Sequence, residues 1–259
     1  MRIRKYLIGT ITCLVGVFAF SSVASAAVTD LNIGVNINPK KQHKKKRGPA
    51  SVFFESNDTH AGFVPCPPGT GTTEGCAAYP PSVQAVLTFS KDVKFTPGKL
   101  PDCNLAALVG KTTAGARAAC PRSIVGTGRN VNKTTTGTTL NGVITAFNGA
   151  PSGGNPSLYL HVDIAGVTTK PILNGVIRGN VLTVQIPPVP GAVIEHFDTS
   201  IGKKVVGKKR NKRTGKVQKT FYFSARCSGK RRWSTTEVVT YQNGQQLSDT
   251  VSTRCKQKR

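Results

Sequence analysis

The chain has 259 residues, 36 Lys and Arg against 11 Asp and Glu, a net charge of +25 and four His. So few acids and histidines leave little material for paired-carboxylate hydrolysis or a histidine-rich metal centre. The charge excess points instead to anionic partners, and the seven cysteines to disulfides.

Residues 1–26 have the three parts of a secretory signal. Arg2, Arg4 and Lys5 make a positive start, Leu7 to Phe20 an apolar stretch, and Ala24-Ser25-Ala26 a small-residue cleavage site. The stretch is shorter than the roughly 20 residues of a transmembrane helix, and no later segment approaches that length. Cys13 lies inside it without the small-residue box of a lipoprotein. The mature chain is expected to begin at Ala27, to have no transmembrane segment, and to be secreted, either extracellular or associated with the cell wall.

Residues 27–49 read as a basic, disordered leader. LNIGVNINP suits one short strand, but KKQHKKKRGP repels itself and ends at Gly48-Pro49. A single folded domain is predicted over 50–259, with two smaller sandwiches dividing near Pro151 as the alternative. Within it the apolar period is two. VQAVLTFSKDVKF alternates and is expected to bend near Lys91; LYLHVDI, VLTVQI and VQKTFYFSARC alternate likewise. SVFFES, TLNGVITAF, AVIEHFDTSI and STTEVVTY are shorter strand candidates. Asn141-Gly142, Asn148-Gly149, Asn174-Gly175 and Asn243-Gly244 read as turns, the last closing the clearest hairpin. LAALVGKTTAGARAA is Ala-rich and predicts one short helical segment near 103–120, with Asp102 capping its start and Pro121 ending it. These elements predict an all-β fold, an antiparallel β-sandwich of jelly-roll or Ig-like type.

Six cysteines remain after the signal: Cys66, Cys76, Cys103, Cys120, Cys227 and Cys255. An even set in an exported chain reads as disulfides, and the shortest loops pair 66–76, 103–120 and 227–255. No Cys-x-x-Cys occurs and no cysteine sits near a His, so a metal site is not expected.

The charge is uneven. Residues 48–200 hold ten basic and eight acidic side chains, whereas 40–47 hold six basic and no acidic ones. Residues 201–259 hold seventeen basic side chains against Glu237 and Asp249. Nine of these fall between Lys203 and Lys219: Lys203, Lys204, Lys208, Lys209, Arg210, Lys212, Arg213, Lys216 and Lys219. They form the candidate polyanion-binding stretch, read as a hairpin turning between Asn211 and Gly215, with Lys40–Arg47 as a second contact.

LTFSKDVKFTPGKLPDCNLAALVG, GARAACPRSIVGTGRN, AFNG, LYLHV, VIEHFDTSIG and FSARC together resemble a group of exported proteins in actinobacteria. The resemblance covers about 83–259 and implies an all-β, disulfide-bearing exported domain; it carries over no activity and no site residue.

No G-x-S-x-G, phosphate loop or calcium loop is present. His161 with Asp163, and His196 with Asp198, each share a strand face, and would form one metal site only if the two strands were neighbours. Trp233 follows Lys230-Arg231-Arg232, and Tyr222 and Arg226 read as sharing an outward face beside it, so that base or sugar stacking competes with plain core packing of the Trp. No sequence-specific nucleic-acid module is recognisable. The expected function is that of a secreted, non-enzymatic, cofactor-free protein that associates with an anionic cell-wall polymer or another polyanion. Two rivals stand beside it: a carbohydrate- or protein-binding module whose charge is incidental, and a hydrolase built on His161 or His196.

Overall fold

The computed structural model describes residues 27–61, 80–97, 100–189, 191–210, 213–215 and 217–258. The predicted signal and the predicted Cys66–Cys76 bridge lie outside the described residues. The first strands in chain order are β1 (Ala27–Asn38), β2 (Lys41–His43), β3 (Gly48–Pro49), β4 (Ser51–Ala61), β5 (Ser82–Phe89) and β6 (Val93–Phe95). Next come β7 (Ile124–Thr134), β8 (Thr139–Ser152), β9 (Asn155–Ile164), β10 (Ile172–Arg178), β11 (Val181–Gln185) and β12 (Ala192–Ile201). The last are β13 (Val205–Arg210), β14 (Val217–Phe221), β15 (Phe223–Ala225), β16 (Arg232–Tyr241), β17 (Gln246–Arg254) and β18 (Lys256–Lys258). A 3-10 turn, Leu105–Ala107, and helix α1, Thr113–Ala119, form the helical segment. Their caps are Asn104 and Thr112, not Asp102. Asp102 instead accepts a hydrogen bond from Asn148 Nδ2.

Eleven of the described strands form one antiparallel sheet in the order β1-β4-β12-β7-β8-β9-β10-β11-β5-β16-β17. Its two edges approach each other without a main-chain ladder. Side chains of the last strand and the turn before it reach the free edge of the first: Ile33 N donates to Asp249 Oδ2 (2.9 Å), Thr253 Oγ1 to Val35 O (2.7 Å) and Gln245 Nε2 to Val28 O (2.6 Å). The sheet is therefore nearly barrel-shaped and does not divide clearly into the two layers of the predicted sandwich. Inward–outward alternation is common to sandwich and barrel, so it could not separate them.

Residues 27–49 correct the expected disordered leader. β1 pairs with β4 along its whole length, from Ala27↔Ala61 to Asn38↔Ser51. Its Val28, Leu31, Val35 and Ile37 are buried in the core, which gives the segment apolar surface to offset the entropy of ordering. Three of the four Asn-Gly pairs are also not turns: 141–142 and 148–149 lie within β8, and 174–175 within β10. These glycines serve close approach. A Cβ on Gly142 would stand 2.0 Å from Asn130 Oδ1, and one on Gly149 2.9 Å from the Tyr159 ring. Asn243-Gly244 does turn the β16–β17 hairpin, with Gly244 at φ 84°.

The core lies inside the curved sheet. Leu158, Leu160, Val162 and Ile164 of β9 point into it, and the outward Tyr159 is also buried, in a second cluster with Leu108, Ala116, Phe147 and Cys103. Cys103–Cys120 ties that helical cover down, and Cys227–Cys255 ties the start of β16 to the end of β17; both pairings are as predicted.

Candidate functional site

Antiparallel register decides where the charge goes. One rim of the sheet runs through the register pairs Asn38↔Ser51, Ile201↔Val52, Ile201↔Gly126, Arg178↔Val181, Thr235↔Phe89 and Arg232↔Arg254. The chain leaves the sheet at this rim after β1, β12 and β17, and those exits lead into 40–47, 203–219 and 255–258. The three basic segments thus gather at one end of the molecule. The opposite rim carries Asp30, Asp58, Asp163 and Glu195 beside Lys133 and Lys170, so acids outnumber bases among these groups.

A small sheet, β3-β15-β6, lies at the basic end, where Phe223 pairs with Phe95 and Ser224 with Pro49. Phe95 packs edge-on against Phe89 (ring centroids 5.5 Å), Phe223 (5.1 Å) and Tyr222 (6.3 Å). β13 and β14 project from this floor as the two-stranded ribbon expected from the basic stretch. Lys208 and Lys219 sit directly opposite each other across it. Like charges in that relation oppose pairing, and an anion between them removes the cost. Arg210 donates through Nε to Gly215 O at 3.2 Å, bracing the tip. Lys208, Arg210, Arg213 and Lys219 are exposed, as is Lys203 at the ribbon's base. Lys209 lies on β13, and Lys212 and Lys216 lie outside the described residues. Lys204 differs from the rest: its Nζ donates to Arg122 O (2.8 Å) and Ile124 O (2.6 Å), and burial lowers its pKa. It braces the start of β7.

The second basic surface joins the expected Lys40–Arg47 contact to Lys256–Lys258, a pairing that sequence reasoning missed. β18 runs parallel to β2, placing Lys256 beside Lys41 and Lys258 beside His43. The intervening glutamines hold the pair. Buried Gln42 donates to Pro39 O and Pro49 O, both at 3.2 Å, and Gln257 donates to Ser228 O at 2.9 Å. Cys227 N donates to His43 O at 2.9 Å, so the Cys227–Cys255 bridge anchors both strands. The alternation Lys-Gln-His and Lys-Gln-Lys was the available signal, with one amide per strand turned inward.

Asp92, just before β6, is held by the chain that follows β15. Arg226 Nε donates to its Oδ1 (2.8 Å) and Ser228 N to its Oδ2 (3.2 Å). Burial raises its pKa, but these hydrogen bonds and the Arg226 charge outweigh that and hold it below the usual value. From Phe221, the ribbon's last residue, to Cys227 is six residues, at most about 20 Å of chain. Ribbon and paired strands therefore lie at the same end of the molecule.

The histidine candidates do not converge. β9 and β12 are separated by β7 and β8, about 14 Å across the sheet. Buried His161 donates through Nε2 to Lys111 O at 2.8 Å, while Asp163 accepts from Thr113 N and pairs with Lys170 at 2.7 Å. His196 is held by Asn57 Oδ1 (2.6 Å), and Asp198 is bound by Arg129 through its backbone N–H and its guanidinium. No group of three metal-ligating side chains occurs among the described residues. Trp233 is core, with Nε1 donating to Arg226 O at 2.7 Å, and Tyr222, expected outward, is fully buried because the chain breaks step between β14 and β15.

No protein-family model, curated protein or solved structure matches the chain.

Proposed function

We propose that this is a secreted, non-enzymatic protein that associates with an anionic cell-wall polymer through its basic end. The observation that carries this reading is the gathering of three basic segments, distant in sequence, at one rim of a near-barrel whose other rim carries more acids than bases among its named groups. Ribbon residues Lys208, Arg210, Arg213 and Lys219 supply one face of the contact, and Lys41, Lys44–Arg47, Lys256 and Lys258 the other. Attraction comes from release of counterions from the polymer, so it requires charge density more than shape. Lys204 is not part of the grip, since its ammonium is held by two carbonyls.

The test is binding of the oxidised mature chain to purified anionic wall polymer, and to duplex DNA for comparison, across a salt series. With six to ten charges engaged, affinity falls about 10³-fold or more between 50 and 200 mM salt. A variant with Lys208, Lys209, Arg210, Lys212 and Arg213 changed to Ser loses most of the affinity and flattens the slope. Absence of binding to either polymer at about 0.15 M salt would leave the charge as a solubilising surface and end the proposal.

A further inference from the structure

Between the walls of the curved sheet lies a lumen with a cavity volume of about 80 Å³. The space is small, and its lining runs from Phe89 and Phe95 to Asp58 and Glu195. Its walls are apolar, with Phe54, Leu87, Leu160, Leu182 and Val239 among them, and Phe89 and Phe95 stand at the basic end. Toward the far rim the lining becomes polar, through Ser56, Asp58, Glu195 and Glu237. No Lys, Arg or His lines it.

The polar groups there are three carboxyls and three hydroxyls, with no cation among them. Ser56 Oγ donates to Glu237 Oε2 at 2.7 Å, and Glu237 itself is 2% exposed. Thr199, also in the lining, is buried with no hydrogen-bond partner for its hydroxyl. Behind Ile194 and Phe197 a much smaller cavity of about 10 Å³ is bordered by Asn130 and Asn132, whose Oδ1 atoms are likewise buried and unpartnered. The Asn132 Nδ2 side already donates to Leu140 O. Buried polar groups left without a partner are costly, which makes each of these a point where a ligand or water would gain a hydrogen bond.

We propose that the lumen is a binding site for a slender molecule with an apolar tail and an amine head, the tail lying between the apolar strand faces and the head at Ser56, Asp58 and Glu237. The narrow bore suits a single alkyl chain rather than a ring system. The sign of the lining excludes a fatty-acid carboxylate, which would meet two carboxyl groups and no cation. The groups facing the head are Asp58 from β4, Glu237 from β16, Asp249 from β17 and, at the rim, Glu195 from β12, together with the Tyr241 hydroxyl beside Asp58. Burial pushes Asp58 up to about 6 and Glu237 up to about 7, so the site is fully anionic only above neutrality. An ammonium ion seated there draws both values back down and is bound more tightly as pH rises from 5.5 to 8.

The test titrates the oxidised protein with dodecylamine and with dodecanoic acid, each below its micelle threshold, by calorimetry at pH 8 and pH 5.5. The expected result is one dodecylamine per molecule, bound about tenfold or more tighter than dodecanoic acid at pH 8 and weakened at pH 5.5. Glu237→Gln keeps the side-chain shape and weakens dodecylamine binding about tenfold. Ala85→Phe fills the bore and abolishes binding; should that variant fail to fold, Val184→Phe is the second filler, and Glu237→Gln alone still decides. Failure of the wild-type protein to bind dodecylamine stoichiometrically overturns the proposal. Equal affinity for the two amphiphiles, or binding untouched by Glu237→Gln, does the same.

Discussion

Burial pushes the Glu237 carboxyl up to about 7; the hydrogen bond from Ser56 pulls it down, and the charges of Asp58 and Asp249 push in the same direction as burial. The folded protein therefore holds a proton that the unfolded chain releases near its ordinary value of about 4.3. Stability from this group is intact below that value and is lost as pH rises toward 7, up to about 3 kcal/mol by pH 8. Glu237→Gln has no such charge to bury. Its thermal midpoint should exceed that of the wild type at pH 8, with the gap closing by pH 5, and scanning calorimetry at the two pH values reads this directly. An equal gap at both would show that the carboxyl is not titrating in the lumen. None of this was visible in the sequence, where Glu237 was one of two acids in a basic tail. Only the inward turn of alternate residues along β16 puts it among Leu87 and Val239.

At the level of elements, the strands with clean alternation were legible: β9, β11 and β12 fall where LYLHVDI, VLTVQI and AVIEHFDTSI placed them. The two described disulfides join nearest neighbours, one closing the short helical cover and the other the ends of the β16–β17 hairpin. What misled was chemistry with two uses. Asn-Gly favours a tight turn, yet a strand that must pass close to its neighbour also needs the glycine. A run of lysines reads as self-repelling, yet β2 finds a strand near the other end of the chain, and that partner, β18, is just as basic. The local signal was slight, one Gln between basic residues in each strand, since the cohesion of the pair comes from Gln42, Gln257 and the Cys227–Cys255 bridge. Replacing both of these cysteines by Ser should cost about 3 kcal/mol in urea unfolding. It should also free β18 and lower the affinity for anionic polymer. Unchanged stability would mean that hydrogen bonds alone keep the two strands in register.

For the whole molecule, the all-β class was legible and the closure was not. Closure depends on contacts between β1, read as leader, and β17, more than two hundred residues later. Asp249 joins them through the Ile33 amide. In Asp249→Ala that amide should exchange with solvent about tenfold faster or more, while amides in the middle of β8 keep their protection. Hydrogen exchange followed by NMR distinguishes this from general loosening, in which both regions would accelerate together. A body charged evenly all round is drawn toward a surface without being turned. One whose cations sit at a single pole experiences torque as well as attraction. Near an anionic wall this molecule rotates until its sheet axis stands upright, with the ribbon and the paired strands β2 and β18 beneath it. The rim that carries Asp58 and Glu195 then points into the medium. Adsorption by this route fixes orientation and leaves the far pole clear of the surface.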